Sequence, residues 1–301
     1  MGASDGPARD VRVADVTTEI RRVGVVGAGA MGGGIAEVSA VGGADVVVVE
    51  VVPAALEAGM ARIERSLATA VKRGKLAEDE RDAAMGRLRF SESFDDLGDR
   101  ELVIEAVTEN EDVKHGVFQT LDKVVPADGL LASNTSSIPI TRLAIATQRP
   151  TQVLGLHFFN PAPVMPLVEV VSTLFTSEET RSRATAFVGD VLGKSVVQAK
   201  DRAGFVVNAL LVPYMLSAVR MLESGFATRE DIDTGMVKGC GHPMGPLTLG
   251  DMVGLDVLYG ASLSMFQEFK EPLYAPPPLL SRMIEAGHLG RKSGRGFYTY
   301  E

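Results

Sequence analysis

Residues 22–36, RVGVVGAGAMGGGIA, carry the strongest indication of how this chain folds. The first half of this segment, RVGVV, is an apolar run typical of a buried strand, and it leads directly into a G-x-G-x-x-G pattern that opens a predicted helix. In this setting the first glycine permits a tight turn, the second lets a pyrophosphate approach the backbone, and the third lets helix and strand pack closely. The free amides and the helix dipole favour an anion. The residues predicted to contact a dinucleotide here are Gly27, Gly29, Ala30, Met31 and Gly32.

A second apolar run, ADVVVVE at residues 44–50, ends in an acid 18 residues after Gly32. At about this spacing a carboxylate accepts hydrogen bonds from the adenosine ribose and repels a 2′-phosphate. No arginine directly follows Glu50, so the pattern favours NAD over NADP as the cofactor. Two structural alternatives remain open at this point: a glycine turn that binds nothing, and a solvated charge at the end of a strand.

The wider pattern predicts an α/β protein with a Rossmann-like, mostly parallel sheet and an all-helical C-terminal domain. Short apolar runs alternate with amphipathic stretches up to about Asp201, and only helical patterns follow. We therefore predict a flexible leader over residues 1–19, an NAD-binding domain over 20–202 and a helical domain over 203–301. The predicted strands cover residues 22–26, 44–50, 102–107, 130–134, 153–159, 167–171 and 195–199; the predicted helices cover 30–41, 53–73, 111–125, 140–146, 178–192, 205–223, 229–238, 255–269 and 279–286.

Composition and charge narrow the classes of function. The chain has 301 residues with 39 acidic and 30 basic side chains, a formal charge of −9, which argues against a nucleic-acid partner. No apolar run reaches the roughly 20 residues that a membrane span needs, so we expect no membrane partner. The single cysteine, Cys240, excludes an internal disulfide and favours the cytoplasm. We expect its side chain to be partly buried.

Seven segments, in order along both predicted domains, resemble one enzyme family. The chain from Val23 to Tyr300 resembles the short-chain L-3-hydroxyacyl-CoA dehydrogenases, in particular the bacterial 3-hydroxybutyryl-CoA dehydrogenases. The resemblance implies NAD-dependent interconversion of an (S)-3-hydroxyacyl-CoA and its 3-oxoacyl-CoA, with no metal ion, and a homodimer formed through the C-terminal domain. The matching segments are GAGAMGGGIA (27–36), EAVTEN (105–110), SNTSSIPI (133–140), GLHFFNPAPVMPLVEVV (155–171), DRAGFVVNALLVPYM (201–215), GHPMGPLTLGDMVGLD (241–256) and GRKSGRGFYTY (290–300).

A histidine is the expected acid and base, because its unperturbed pKa lies near neutrality. Of the four histidines only His157 ends an apolar strand pattern, where open α/β sheets bind ligands. Glu169 lies within the apolar run PLVEVV, where an acid needs a partner. The family's His–Glu pair matches these two positions, although an edge-strand acid facing solvent is the alternative for Glu169. The remaining histidines are interpreted as surface or structural residues: His115, His242 and His288.

The substrate oxygen becomes negative as hydride arrives, so it needs hydrogen-bond donors. Ser136 follows a predicted strand, and Asn208 is an unexpected amide in an apolar helix pattern. The family uses a serine and an asparagine at these positions, and Ser137 is the alternative if the alignment is off by one. The family often has arginine directly after this asparagine, whereas this chain has Ala209, which puts the local contacts in doubt.

The resemblance also implies further binding residues. It places Glu109, Lys114 and Asn160, together with Ser136, near the nicotinamide half of NAD. For the phosphates of coenzyme A it implies Ser66 and Arg73, and Arg73 lies in a short basic cluster with Lys72 and Lys75. A solvated helix end is the structural alternative for that cluster. A second basic cluster is expected to be structural: Arg291, Lys292 and Arg295.

Two other functions compete with this prediction. A gulonate-type dehydrogenase would share the fold and the His–Glu pair but act on a free hydroxy acid. A catalytically silent NAD-binding protein would share only the cofactor site. The joint presence of His157, Glu169, Ser136 and Asn208 favours an enzyme.

Overall fold

The computed structural model describes residues 19–300 and contains one eight-stranded sheet. The predicted leader lies outside the described residues except for Glu19. The strands are β1 (Arg22–Val26), β2 (Asp45–Val49), β3 (Leu88–Ser91), β4 (Leu102–Glu105), β5 (Leu130–Ser133), β6 (Val153–Phe158), β7 (Leu167–Ser172) and β8 (Ser195–Lys200).

Helices cover the sheet and form the second domain. Two of them continue into π-helical turns, at Phe187–Val191 and Gly235–Gly239. The helices are α1 (Ala30–Val41), α2 (Pro53–Lys72), α3 (Glu78–Gly86), α4 (Glu111–Val124), α5 (Ile140–Ala144), α6 (Glu178–Ala186), α7 (Val207–Glu223), α8 (Arg229–Thr234), α9 (Pro246–Val253), α10 (Leu255–Phe269) and α11 (Pro278–Glu285).

The strand order β3-β2-β1-β4-β5-β6-β7-β8 fixes where ligands can bind. The first six strands in the chain pair in parallel, so their carboxyl ends share one edge of the sheet. The order reverses between β1 and β4, which is the switch point where open α/β sheets hold their ligands. β7 runs antiparallel to β6 and therefore enters the sheet at that same edge. This topology confirms the predicted Rossmann-like class.

The alternation of side chains along β2 explains its continuous valine sequence. Val46 and Val48 belong to the hydrophobic cluster on one face of the sheet, and Val47 and Val49 belong to the cluster on the other face. A parallel strand covered by helices on both sides is predominantly apolar over its buried positions. A third cluster fills the second domain, mainly between α7, α9, α10 and α11.

The two domains meet at the carboxyl edge of the sheet. Asp201 accepts hydrogen bonds from the amides of Ile140 and Thr141, at 2.9 and 2.7 Å, at the start of α5. Ser264 on α10 donates to the carbonyl of Ser137 at 2.8 Å. Asp201 precedes the predicted boundary at residue 202, so of these contacts it is the Ser264 hydrogen bond that attaches the helical domain to the loop after β5.

Several elements differ from the sequence predictions. α3 and β3 were not predicted, because α3 is highly charged and β3 is a short, half-buried edge strand. The first helix of the second domain begins at Val207 rather than at residue 205, since Phe205 has a left-handed φ of 45°. Cys240 is exposed, so the expectation of a partly buried side chain is wrong: it ends a π-helical turn at the surface. Within residues 19–300 no helix is both long and apolar enough to cross a membrane.

Candidate active site

The glycine turn after β1 has the geometry of an anion-binding loop. Gly27 has a φ of 102°, and its amide donates to the carbonyl of Val49 at 2.8 Å. A Cβ on Gly32 would lie 1.9 Å from the carbonyl oxygen of Gly27, so only glycine allows this close packing. A Cβ on Gly29 would meet nothing within 4 Å, which leaves open space in front of the first amides of α1. The turn thus fits a pyrophosphate at a helix N-terminus.

A cleft of about 540 Å³ lies between the ends of β1, β2 and β4. Its lining is largely apolar and includes Gly27, Gly29, Glu50 and Thr108. The Glu50 carboxylate is half-buried and accepts hydrogen bonds from the amides of Ala28 and Val52, both at 3.2 Å. An apolar cleft with a carboxylate held at its rim fits an adenosine, so the residues present suit the predicted cofactor.

His157 and Glu169 form a buried pair at the same sheet edge. They are register partners across β6 and β7, and His157 Nδ1 lies 2.7 Å from Glu169 Oε2. Glu169 is fully buried and His157 is 6% exposed. The carboxylate on Nδ1 selects the ring tautomer and leaves Nε2 for a substrate. The alternative of an edge-strand acid facing solvent is therefore wrong for Glu169.

The other oxygen of Glu169 holds the second domain. Glu169 Oε1 accepts hydrogen bonds from the amides of Val206 and Val207, both at 2.9 Å, at the N-terminus of α7. A negative charge is favourable at this end of a helix. The same carboxylate thus orients His157 and fixes the start of the helix that carries Asn208.

Two aromatic rings enclose the histidine. Phe159 lies 4.7 Å from the imidazole between ring centroids, and Phe205 lies 5.4 Å from it. Phe205 is a buried non-glycine residue in the left-handed region, a strained conformation that places its ring against the imidazole. The two rings restrict the rotation of His157.

Glu109 organises the loop that carries the predicted oxygen-binding serine. Its Oε1 accepts hydrogen bonds from Ser137 Oγ at 2.7 Å, from the Ser136 amide at 3.3 Å, and from Thr135 Oγ1. Burial acts to raise the pKa of Glu109, but Lys114, Thr135 and Ser137 outweigh it, and the pKa lies below its ordinary value. Glu109 is therefore ionised at neutral pH, and it holds Ser136 through the backbone amide of that residue.

Lys114 lies beneath Glu109 in the protein interior. It is 1% exposed, and its ammonium contacts Glu105 Oε1 at 2.6 Å and Glu109 Oε2 at 3.2 Å. Glu105 is fully buried and also accepts from Ser133 Oγ at 2.6 Å and from the Val107 amide at 2.7 Å. In this arrangement Lys114 is buried, and it affects the predicted cofactor region by its contact with Glu109.

The remaining predicted residues near the reaction centre lie on neighbouring segments. Asn208 is half-buried at the second position of α7, one residue after an amide held by Glu169. Asn160 is exposed, two residues beyond the end of β6. Asn134, which the sequence analysis did not select, accepts a hydrogen bond from the Phe158 amide at 2.9 Å and joins the ends of β5 and β6.

The predicted coenzyme A residues lie on α2. Arg73 is exposed at the end of the helix, whereas Ser66 is half-buried and donates a hydrogen bond to Glu37 Oε1 at 2.9 Å. Glu37 on α1 is 5% exposed. Burial raises the pKa of Glu37 to about 7, against a smaller lowering by the Ser66 hydroxyl. Ser66 thus carries an internal hydrogen bond in addition to its predicted binding role.

Sequence models of known families match nearly the whole described chain. The model of the 3-hydroxyacyl-CoA dehydrogenase NAD binding domain matches residues 22–202, and that of the 3-hydroxyacyl-CoA dehydrogenase C-terminal domain matches residues 204–300. The chain belongs to the 3-hydroxyacyl-CoA dehydrogenase family. This confirms the resemblance and the NAD cofactor that the sequence analysis predicted.

Individual members of the family are similar over their full length. A 3-hydroxybutyryl-CoA dehydrogenase of Mycobacterium tuberculosis is 61% identical over 93% of this chain and 99% of its own length. The crystal structure of FadB2 from M. tuberculosis, also 61% identical, superposes with a TM-score of 0.93 over 94% of this chain and all of that chain. The (S)-3-hydroxybutyryl-CoA dehydrogenase of Ralstonia eutropha is 45% identical, with a TM-score of 0.90 over 94% of this chain and all of its own.

Three further residues around this candidate site were not predicted from the sequence. Glu105 carries the same signal as Glu169, an acid inside an apolar strand, and that signal could have identified it. Phe205 and Asn134 give no such signal, because their contacts depend on how distant segments meet. The roles assigned to individual site residues remain predictions.

Proposed function

We propose that this protein is an NAD-dependent (S)-3-hydroxyacyl-CoA dehydrogenase that interconverts 3-hydroxybutyryl-CoA and acetoacetyl-CoA. One observation carries the proposal: a buried His157–Glu169 pair at the same sheet edge as the glycine turn. The names of the relatives that are 61% and 45% identical along their full lengths support this substrate class.

In the proposed reaction NAD⁺ supplies the hydride acceptor for the carbon that carries the hydroxyl group. His157 Nε2 takes the hydroxyl proton as the carbonyl forms, and in the reverse direction the imidazolium returns that proton to the oxygen. One oxygen of Glu169 accepts hydrogen bonds from two backbone amides and the other lies against Nδ1 of the ring, so the carboxylate is fixed beside the imidazole. It stabilises the imidazolium without taking the proton itself.

Ser136 and Asn208 are the proposed donors to the substrate oxygen. Ser136 lies in the loop that Glu109 organises, and Asn208 lies at the start of the helix that Glu169 caps. A carboxylate of the first domain thus contacts the segment that carries each donor, which supports a preorganised oxygen site. Gly27, Gly29, Ala30, Met31, Gly32, Glu50, Glu109, Lys114 and Asn160 are the proposed NAD contacts.

The direct test is consumption of NADH in the presence of acetoacetyl-CoA, with free acetoacetate as the matched control. We expect rapid turnover of the thioester, and much slower turnover of the free acid, because Ser66 and Arg73 are proposed to bind coenzyme A. Equal turnover of both substrates would favour the gulonate-type alternative. No turnover of either substrate, with intact NADH binding, would favour a catalytically silent protein.

We also propose a homodimer formed through the C-terminal domain. Leu210 on α7 is 73% exposed and Val257 on α10 is 52% exposed, which is unfavourable for an isolated domain. Met252 and Val253 at the end of α9 are also exposed. Light scattering at micromolar concentration should give twice the chain mass, and a monomer would contradict the proposal.

We further propose a domain boundary near residue 202 and a cytoplasmic location. A boundary near residue 202 is supported by the two family models, which meet between residues 202 and 204. The single, exposed Cys240 is compatible with the reducing cytoplasm that we propose.

A further inference from the structure

A network of three charged residues extends from the sheet interior to the loop after β5. Glu105, at the end of β4, contacts Lys114; Lys114 contacts Glu109; and Glu109 binds Ser137 and Thr135. The network continues across the domain boundary, because the Ser137 carbonyl accepts the hydrogen bond from Ser264. Displacement of Glu105 would therefore affect the whole loop.

The network carries one uncompensated negative charge. Glu105 accepts from an ammonium, a hydroxyl and an amide, which is the bonding pattern of an ionised carboxylate. Lys114 supplies one positive charge to two carboxylates. Among the described residues, no second cation forms an ion pair with either Glu105 or Glu109.

The strand order places this charge at the nicotinamide end of the cofactor site. Glu50 directly follows β2, the glycine turn directly follows β1, and His157 lies on β6. The nicotinamide must lie beside His157, because hydride and proton leave neighbouring atoms of the substrate. It therefore lies over the ends of β4 and β5, which stand between β1 and β6 with strand spacings of about 4.8 Å. Glu105 and Ser133 are the register partners that end these two strands.

We propose that Glu105 is a positioning residue that sets the preference for oxidised over reduced cofactor. Through Lys114 it holds Glu109 and the loop at residues 134–138, and it leaves a net negative charge beneath the nicotinamide. The oxidised ring is positively charged and the reduced ring is neutral, so this charge favours NAD⁺ relative to NADH. The inference rests on the proposed function but concerns cofactor binding, which is measured without any acyl-CoA.

The test compares the dissociation constants of NAD⁺, by calorimetry, and of NADH, by its fluorescence. In Glu105→Gln the ratio Kd(NAD⁺)/Kd(NADH) should rise about three- to tenfold, as expected when one unit charge is removed from a partly screened site near the ring. The control Ser133→Ala removes a hydrogen bond to Glu105 but no charge, and its ratio should stay within about twofold of wild type. A purely structural role for Glu105 would weaken both ligands equally.

A second variant keeps the test decisive if the fully buried Glu105→Gln protein does not fold. Glu109 is partly exposed, and Glu109→Gln removes the same net charge, so the ratio should rise in the same direction. An unchanged ratio in Glu109→Gln, or in a folded Glu105→Gln, would overturn the inference. Failure of the proposed function would appear separately, as wild-type protein that binds NADH but does not reduce acetoacetyl-CoA.

Discussion

Two fully buried glutamates, Glu169 on β7 and Glu105 on β4, differ in the partner that each one holds. Glu169 contacts an imidazole, the type of side chain that acts as both acid and base in proton transfer, whereas Glu105 contacts the ammonium of Lys114. Both carboxylates also accept backbone amides, so both are anchored in place. A buried glutamate alone therefore does not indicate proton transfer: the group that it contacts determines whether the site can transfer a proton or only hold a charge.

A third buried acid extends this comparison. Among residues 19–300, Glu37 contacts neither an imidazole nor a lysine, and the hydroxyl of Ser66 donates a hydrogen bond to it. A single neutral donor does not compensate for the desolvation of a carboxylate, and the pKa rises to about 7. The three sites therefore predict three different responses to substitution.

The largest effect is expected from His157→Ala. Removal of the proton acceptor should lower kcat by about 10³-fold, within the usual range for general acid–base catalysis, while the dissociation constant of NADH changes little. Steady-state rates with acetoacetyl-CoA and NADH fluorescence measure the two quantities. Unchanged turnover would remove His157 from the mechanism. The pair that it forms with Glu169 would then have no more claim to proton transfer than the pair of Glu105 and Lys114.

Glu169→Gln should lower kcat by about 10- to 100-fold, because the neutral amide no longer stabilises the imidazolium. Its amide oxygen can still accept from the Val206 and Val207 amides, so the variant should fold. The matched comparison is Glu105→Gln, whose main effect should be on the cofactor affinities. If both variants changed kcat and the cofactor affinities in the same way, the contacting group would not determine the role of each glutamate.

A charge reversal tests the substrate end of the site. Arg73→Glu, at an exposed position, should raise KM for acetoacetyl-CoA by about tenfold through repulsion of the coenzyme A phosphates, with kcat nearly unchanged. Arg291→Glu, also exposed but in the basic cluster predicted to be structural, is the control and should leave KM unaltered. Equal increases in both variants would assign the effect to overall charge.

The smallest effect concerns the pH dependence of stability at Glu37. Its folded pKa of about 7 lies above the ordinary value of 4.5, so the folded state binds the extra proton between these values. The associated stabilisation is present below pH 4.5 and is lost as the pH rises towards 7. Relative to Glu37→Gln, the wild type should lose on the order of 2 kcal/mol over this interval. Urea unfolding at several pH values measures it, and parallel curves for both proteins would contradict the assignment.

The features that the sequence predicts are those set by residues close together along the chain. The run at residues 22–36 indicates strand, turn and helix because the glycines there are sterically required, as the Gly32 contact with Gly27 illustrates. His157 and Glu169 are recognisable because polar residues in apolar strands need partners. The antiparallel pairing of β7, which brings these two residues opposite one another, has no local signal.

The features that could not be predicted are contacts between segments that lie far apart along the chain. Phe205 reaches the imidazole only because the domain junction adopts a left-handed turn. The hydrogen bond from Ser66 to Glu37 depends on the packing of α2 against α1, since 29 residues separate the two positions. Neither contact follows from residue type or spacing.

A double-mutant cycle on His157 and Glu169 tests most directly whether this carboxylate acts through the imidazole. If it does, adding Glu169→Gln to His157→Ala should change kcat by less than about twofold, because the group that it stabilises is already absent. A further loss equal to that of Glu169→Gln alone would show that the two residues act independently, and would contradict the account.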